Sequence, residues 1–223
     1  MAGQQRLKFF YVALAAIAVV GVAAIWTARG KGRSGTQEIT PVAADSTVFP
    51  GHVVGSDSAP VTITEYADFQ CPACGKFAVL TAPDIRQRLV STGRVRWIFR
   101  DFPLDNHPNS MPAHLAAACA SEQGKFWEMH DELYFNQGRW SPASRPLRDF
   151  RGYAKAIGLD LGRYDACMDS GRYRARLTAL KEDGLQRGVN STPTFDIGTL
   201  RLTGYLDYDS LKVLVDQAAA RGR

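Results

Sequence analysis

The chain has 223 residues, 45% of them hydrophobic, and a formal net charge of +5. The excess is local: residues 1–40 carry Arg6, Lys8, Arg29, Lys31 and Arg33 against Glu38, while the remaining 22 basic and 21 acidic residues nearly cancel. No arginine-rich run lies outside that leader, so a nucleic-acid partner is excluded, and about 170 residues remain for one domain with a good core or a domain carrying an insertion.

Residues 9–26 contain no charge and follow Arg6 and Lys8. At 1.5 Å per residue they reach about 27 Å, close to the apolar thickness of a bilayer. This predicts an uncleaved anchor over 9–26 with a cytoplasmic start at 1–8. The alternative is a cleaved signal peptide ending near Val22-Ala23-Ala24, followed by bulky Ile25 and Trp26. Arg29, Lys31 and Arg33 beyond the run weaken the charge asymmetry that orients such segments. Residues 27–50 read as a flexible tether.

Residues 61–66, Val-Thr-Ile-Thr-Glu-Tyr, are apolar and β-branched and predict a buried strand. Cys71-Pro72-Ala73-Cys74 follows and opens a helical pattern that continues over residues 83–91. Gly93 breaks it, and residues 94–99 alternate as a second strand. A strand–helix–strand order implies two parallel strands. Residues 112–123, 125–135, 147–157, 161–169 and 172–187 predict five helices, with Asp160 as the cap of the fourth. Residues 194–197 and 200–203 flank Gly198-Thr199 as a hairpin, and 209–220 closes the chain as a helix bearing Leu211, Leu214 and Val215. The expected class is α/β, with a sheet domain at 51–104 and 188–223 interrupted by a helical block at 105–187.

The Cys71/Cys74 pair carries the chemistry. A cysteine at a helix N-terminus meets unpaired backbone N–H groups and the positive end of the helix dipole, which favours the reactive thiolate. A zinc site would need four ligands, and Cys119 and Cys167 stand alone in the sequence. A purely structural link between residues three apart closes too little chain to add much stability. Thiol–disulfide exchange is the strongest of the three readings.

Three separated segments then resemble the DsbA-like thiol–disulfide oxidoreductases: residues 65–74 (Glu-Tyr-Ala-Asp-Phe-Gln-Cys-Pro-Ala-Cys), 124–133 (Gly-Lys-Phe-Trp-Glu-Met-His-Asp-Glu-Leu) and 188–195 (Gly-Val-Asn-Ser-Thr-Pro-Thr-Phe). The resemblance runs from about Val53 to the C-terminus. It implies a thioredoxin fold with an inserted helical subdomain. It implies that Cys71 is the exposed nucleophile and Cys74 the buried resolving thiol. Pro193 would be a cis proline facing them, Thr192 would hydrogen-bond the substrate backbone, and Glu65 would be the buried acid that handles the Cys74 proton. Physically, an extended substrate needs exposed backbone groups beside Cys71, and a carboxyl in an apolar strand is costly unless neutral or paired. Pro72 and Ala73 would face the substrate. Ala73 departs from the histidine of the strongest oxidants in the family, which removes one donor to the Cys71 thiolate and predicts a milder oxidant. Cys119 and Cys167 would form a second, structural disulfide, as in some members.

Phe126, Trp127, His130, Tyr134 and Phe135 are spaced for one helix face and predict core packing, with His130 a satisfied structural histidine. His52, His107 and His114 suggest no role. The expected function is an exported, membrane-tethered oxidase that makes disulfides in envelope or secreted proteins. No organic cofactor and no metal is implied. The partners implied are reduced substrate proteins, the membrane through residues 9–26, and a membrane reoxidant resembling DsbB or vitamin K epoxide reductase. The location would be the periplasm or extracytoplasmic space. Two alternatives stand beside it: a reductase or isomerase of the same fold, and a non-enzymatic peptide-binding or chaperone module.

Overall fold

The structure, a computed structural model, describes residues 36–39 and 49–221. The anchor expected at 9–26 lies outside them. Among the described residues no helix is long and apolar enough to cross a membrane.

In chain order the elements are β1 (Thr36–Glu38), β2 (His52–Val54), β3 (Val61–Ala67), α1 (Pro72–Leu80), α2 (Ala82–Ile85) with a π-helical turn at Arg86–Val90, and β4 (Val95–Asp101). Then come α3 (Ser110–Ser121), α4 (Phe126–Phe135), α5 (Gln137–Trp140), α6 (Leu147–Ala156), α7 (Leu161–Ser170) and α8 (Arg174–Gln186). The chain closes with β5 (Thr194–Ile197), β6 (Leu200–Thr203) and α9 (Tyr208–Arg221). One sheet runs β1-β6-β5-β3-β4-β2. The β3–β4 pair is parallel, as a crossover helix requires, and the other pairs are antiparallel. A β-α-β unit and a β-β-α unit sharing one sheet make this a thioredoxin fold.

Register sets the faces. Glu65 lies opposite Phe99 on one side and Phe195 on the other, so its side chain points into the same layer as theirs. That layer contains Ile63, Trp97, Ile197, Phe77 and Leu211, all within 1% of full burial. A second apolar cluster joins Phe69, Phe99, Cys71 and Cys74 to the alanine-rich face of α3, with Met129, Leu133 and Trp140. Small side chains at Ala113, Ala116, Ala117 and Ala120 let α3 approach closely, and all four are fully buried.

Three expectations need correction. The tether is not wholly irregular: Thr36–Glu38 forms an edge strand, with Gln37 opposite Arg201. Three polar residues hold no apolar alternation, so composition concealed it. The helix after the cysteines is not continuous. Pro83 has no N–H to donate, and the chain breaks at Thr81 into α2 and the π-turn. Phe135 leaves the core face of α4 and is 78% exposed, because it sits about 100° from Tyr134 around the helix. Asp160 does cap α7, accepting from the Arg163 N–H at 3.0 Å.

Cys119 on α3 and Cys167 on α7 are joined by a disulfide, with their Cα atoms 5.7 Å apart and a sequence separation of 48. Replacing both with serine is expected to remove about 4 kcal/mol of unfolding free energy through chain entropy. Urea denaturation of oxidised protein measures it. A loss below 1 kcal/mol would mean that packing alone holds α3 against α7.

Candidate active site

Cys71 is the N-cap of α1 and Pro72 occupies its first turn, where a missing N–H costs nothing. No side chain caps the helix, so the free N–H groups face the Cys71 sulfur. Cys74, one turn along, faces inward and is fully buried. The pair is a dithiol. Cys71 is less open than expected of an exposed nucleophile: 7% of its surface is accessible, because Thr192 covers one side. The Cys71 thiol donates to the Thr192 carbonyl at 3.3 Å. The Thr192–Pro193 peptide is cis. Pro72 is exposed and Ala73 half-buried, so they form the rim beside the sulfur.

The two sulfurs differ sharply. A hydrogen bond from the Cys74 thiol draws Cys71 down from about 9 to about 6. Burial opposes this, and the Thr192 side chain and the backbone N–H groups of Cys74 and Ala73 reinforce it. Burial pushes Cys74 well above its usual value, and the bond to Cys71 and the charges of Cys71 and Glu65 push the same way. Glu65 is 1% exposed. Burial raises its carboxyl to about 8, against a hydrogen bond from Trp97 Nε1 at 3.0 Å and the nearby Arg86 charge. Its other oxygen has no protein partner. At neutral pH this is a nearly buried thiolate, a fully buried and reluctant thiol, and a proton-holding acid near enough for its charge to push that thiol up.

The turn before Cys71 is clamped from the helices. Gln137 on α5 donates to the carbonyls of Phe69 and Cys71 at 2.7 and 2.9 Å. Gly75 makes this possible, since a Cβ there would stand 2.5 Å from Gln137 Oε1. Gln70 accepts from the Asn109 N–H at 2.7 Å and donates to Ser141 O at 3.0 Å. Sequence reasoning missed these amides, because nothing local distinguishes Gln137 from any surface glutamine. It also missed Asp68, Asp101 and His114, which meet in the interior. The signal available was their polarity inside apolar segments. His130 is satisfied on one side only: Nδ1 contacts Asp131 at 2.8 Å and Arg86 at 3.3 Å, and Nε2 has no partner. Burial lowers it to about 4, so it is neutral.

On this fold, a helix-capping Cys71 with a lowered pKa beside a buried Cys74 is an arrangement suited to thiol–disulfide exchange. Residues 47–217 match the thioredoxin family model, and the chain belongs to that family. The fold is similar to oxidised BdbD from Bacillus subtilis, with a TM-score of 0.70 at 20% identity, covering 85% of this chain and all of that one. It is equally similar to DsbA from Chlamydia trachomatis, with a TM-score of 0.70 at 20% identity over 83% and 98% of the two chains. A curated relative, the Na(+)/H(+) antiporter NhaA 1 of Salinispora arenicola, is 37% identical over 173 residues, which is 77% of this chain and 25% of that protein. The chain thus spans about a quarter of the length of such relatives.

Two titrations test the site. Thiolate absorbance is expected to rise with a midpoint near pH 6 and half the amplitude of two thiols. A midpoint above 8 would remove the activated nucleophile. Between pH 6 and 9 the folded dithiol sheds a proton that the unfolded chain keeps, so stability of the reduced minus the oxidised protein should rise with pH. Glu65 acts in the opposite sense: between 4.5 and 8 the folded state keeps a proton that the unfolded state has lost. The stability of wild type minus Glu65→Gln should therefore fall with pH across that range, and a flat difference would show Glu65 to be unshifted.

Proposed function

We propose that the protein is an exported thiol oxidase that passes its Cys71–Cys74 disulfide to reduced proteins. The observation that carries this is the contrast between the lowered Cys71 thiol and the raised Cys74 thiol. A substrate thiolate attacks Cys71, the accessible sulfur of the pair. The Cys71–Cys74 bond breaks, and Cys74 leaves and takes a proton, for which Glu65 is the adjacent source. A second substrate thiolate then attacks the mixed disulfide, and Cys71 leaves as a stabilised thiolate. The substrate has lost two electrons and the enzyme holds a dithiol. A thiolate that is stable when released favours this direction.

Thr192 and Pro193 present the backbone beside Cys71 to an extended substrate segment, with Pro72 and Ala73 as the opposite rim. Reoxidation then falls to a membrane protein resembling DsbB or vitamin K epoxide reductase. The anchor at residues 9–26 would hold the domain at the membrane that such a partner occupies, and the Cys119–Cys167 disulfide suits an oxidising compartment. Ion exchange is a property of the antiporter relatives and is not carried over.

The glutathione redox equilibrium decides the direction. A potential between about −270 mV, that of thioredoxin, and about −120 mV, that of DsbA, is expected. A value at or below the thioredoxin end would favour the reductase alternative. Ala73→His adds a donor to the Cys71 thiolate and should raise the potential by about 30 mV for each 1.4 kcal/mol it contributes. Cys71→Ser should abolish oxidation of a reduced, unfolded substrate protein, and Cys74→Ser should trap a mixed disulfide. Full activity in Cys71→Ser would favour the binding-module alternative.

A further inference from the structure

Helix α8 ends just before the segment that carries Thr192 and Pro193. Gly188 follows its last residue, Arg187, with a φ of +80°. The Val189 N–H bonds back to the Gly184 carbonyl and the Gly188 N–H to the Leu185 carbonyl, both at 2.9 Å. A glycine just past a helix closes the final turn in this way. Val189 is 1% exposed and packs with Tyr66 and Phe102. The Arg187 carbonyl is the last of the helix, and it accepts a hydrogen bond from Arg201 Nη1.

Arg201 comes from β6 and is 7% exposed. It lies directly across from Asp196 in the β5–β6 ladder. Its Nε and Nη2 each donate to one oxygen of the Asp196 carboxylate at 2.6 Å. Its guanidinium carbon lies 5.9 Å from the centroid of the Tyr66 ring. A forked pair between neighbouring strands leaves the guanidinium one orientation. Nη1 is then the nitrogen left over, and it reaches from the sheet to α8.

The far end of the segment is tied as well. Thr194 Oγ1 donates to the Ser191 carbonyl at 2.8 Å, and the Gly204 N–H donates to the Pro193 carbonyl at 2.8 Å. Between these ties and Arg201 stand Asn190, which is exposed, and Ser191 and Thr192, which are half-buried. The Thr192 carbonyl is the group that meets the Cys71 thiol at 3.3 Å.

We propose that Arg201 is a positioning residue for substrate binding: its fork ties the C-terminus of α8 to the sheet and so holds the 190–192 backbone where a substrate segment pairs with it. This rests on the reading above that Thr192 and Pro193 receive an extended substrate. A backbone already in place costs little to order when the substrate arrives, whereas a loose one loses its freedom at that moment. The effect falls on binding and not on sulfur chemistry. The side chain of Arg201 bonds Asp196 and the Arg187 carbonyl and lies against Tyr66, with neither cysteine among these partners.

The test separates binding from exchange. Oxidised protein is mixed with increasing amounts of a peptide carrying two reduced cysteines, and its reduction is followed by tryptophan fluorescence. Arg201→Lys keeps the charge opposite Asp196, but an ammonium lacks the fork that holds Asp196 and the Arg187 carbonyl together. Its half-saturating peptide concentration is expected to rise about fivefold, with the limiting rate within twofold of wild type. Reduction of the same disulfide by 2-mercaptoethanol, which has no backbone to pair, is expected to stay within twofold of wild type. Asp196→Asn keeps Arg201 but removes one of the two charged oxygens that orient it. It should raise half-saturation about threefold, and it serves if Arg201→Lys does not fold. Leu211→Ala, from the other apolar cluster, controls for lost stability and should half-saturate as wild type does. An unchanged half-saturation in Arg201→Lys, or in Asp196→Asn where the first variant does not fold, overturns the proposal. Equal slowing with 2-mercaptoethanol overturns it too. A wild-type rate that climbs linearly with peptide and never saturates sinks the substrate-binding reading itself, whatever the variants do.

Discussion

Two thiols three residues apart would be chemically alike in an unfolded chain. Here one caps a helix and the other lies a turn inside it, and the difference in surroundings separates their acidities. Cys71 gains N–H donors and keeps a small opening to solvent, while Cys74 loses all contact with water. Exchange chemistry needs this inequality. A pair of equally exposed thiolates would repel each other, and a pair of buried thiols would not react.

The rest of the molecule maintains that inequality. The sheet supplies Glu65 under Cys74 and fixes its place by pairing it between Phe99 and Phe195. Trp97, two residues back on β4, shares the face and donates to the carboxyl. The β5–β6 hairpin brings Thr192 and Pro193 to the open side of Cys71, with the Gly204 N–H bonded to the Pro193 carbonyl at 2.8 Å. Each group lies on or next to a strand, so the site inherits the stiffness of the sheet.

The helices between β4 and β5 contribute through polar contacts to the 68–71 turn as well as through packing. Gln137, Asn109, Ser110 and the Ser141 carbonyl satisfy polar groups of that turn. The turn precedes a helix whose first N–H groups must stay free for sulfur. A looser turn could fold back on those groups and spend them on its own carbonyls or side chains. The α3–α7 disulfide ties α3, which supplies Ser110, to α7.

Local sequence carried the elements whose causes are local. The apolar run before Cys71, the alternation after Gly93, the Asp160 cap and the helical spacing of Leu211 and Val215 all reflect contacts within a few residues, and the strands and helices formed there. The cysteine pair was legible because its spacing and its place before a helix define its chemistry. Thr36–Glu38 was not, because its pairing partner lies more than 160 residues away and its own composition is polar. Phe135 was misassigned because one residue of helical rotation separates core from solvent. The degree of burial of Cys71, the partnering of Asp68 with His114, and the reach of Gln137 to the active-site turn were decided only by the tertiary structure. Burial, and the charge states that follow from it, depend on what packs against a residue from distant parts of the chain, and no local pattern encodes that distance.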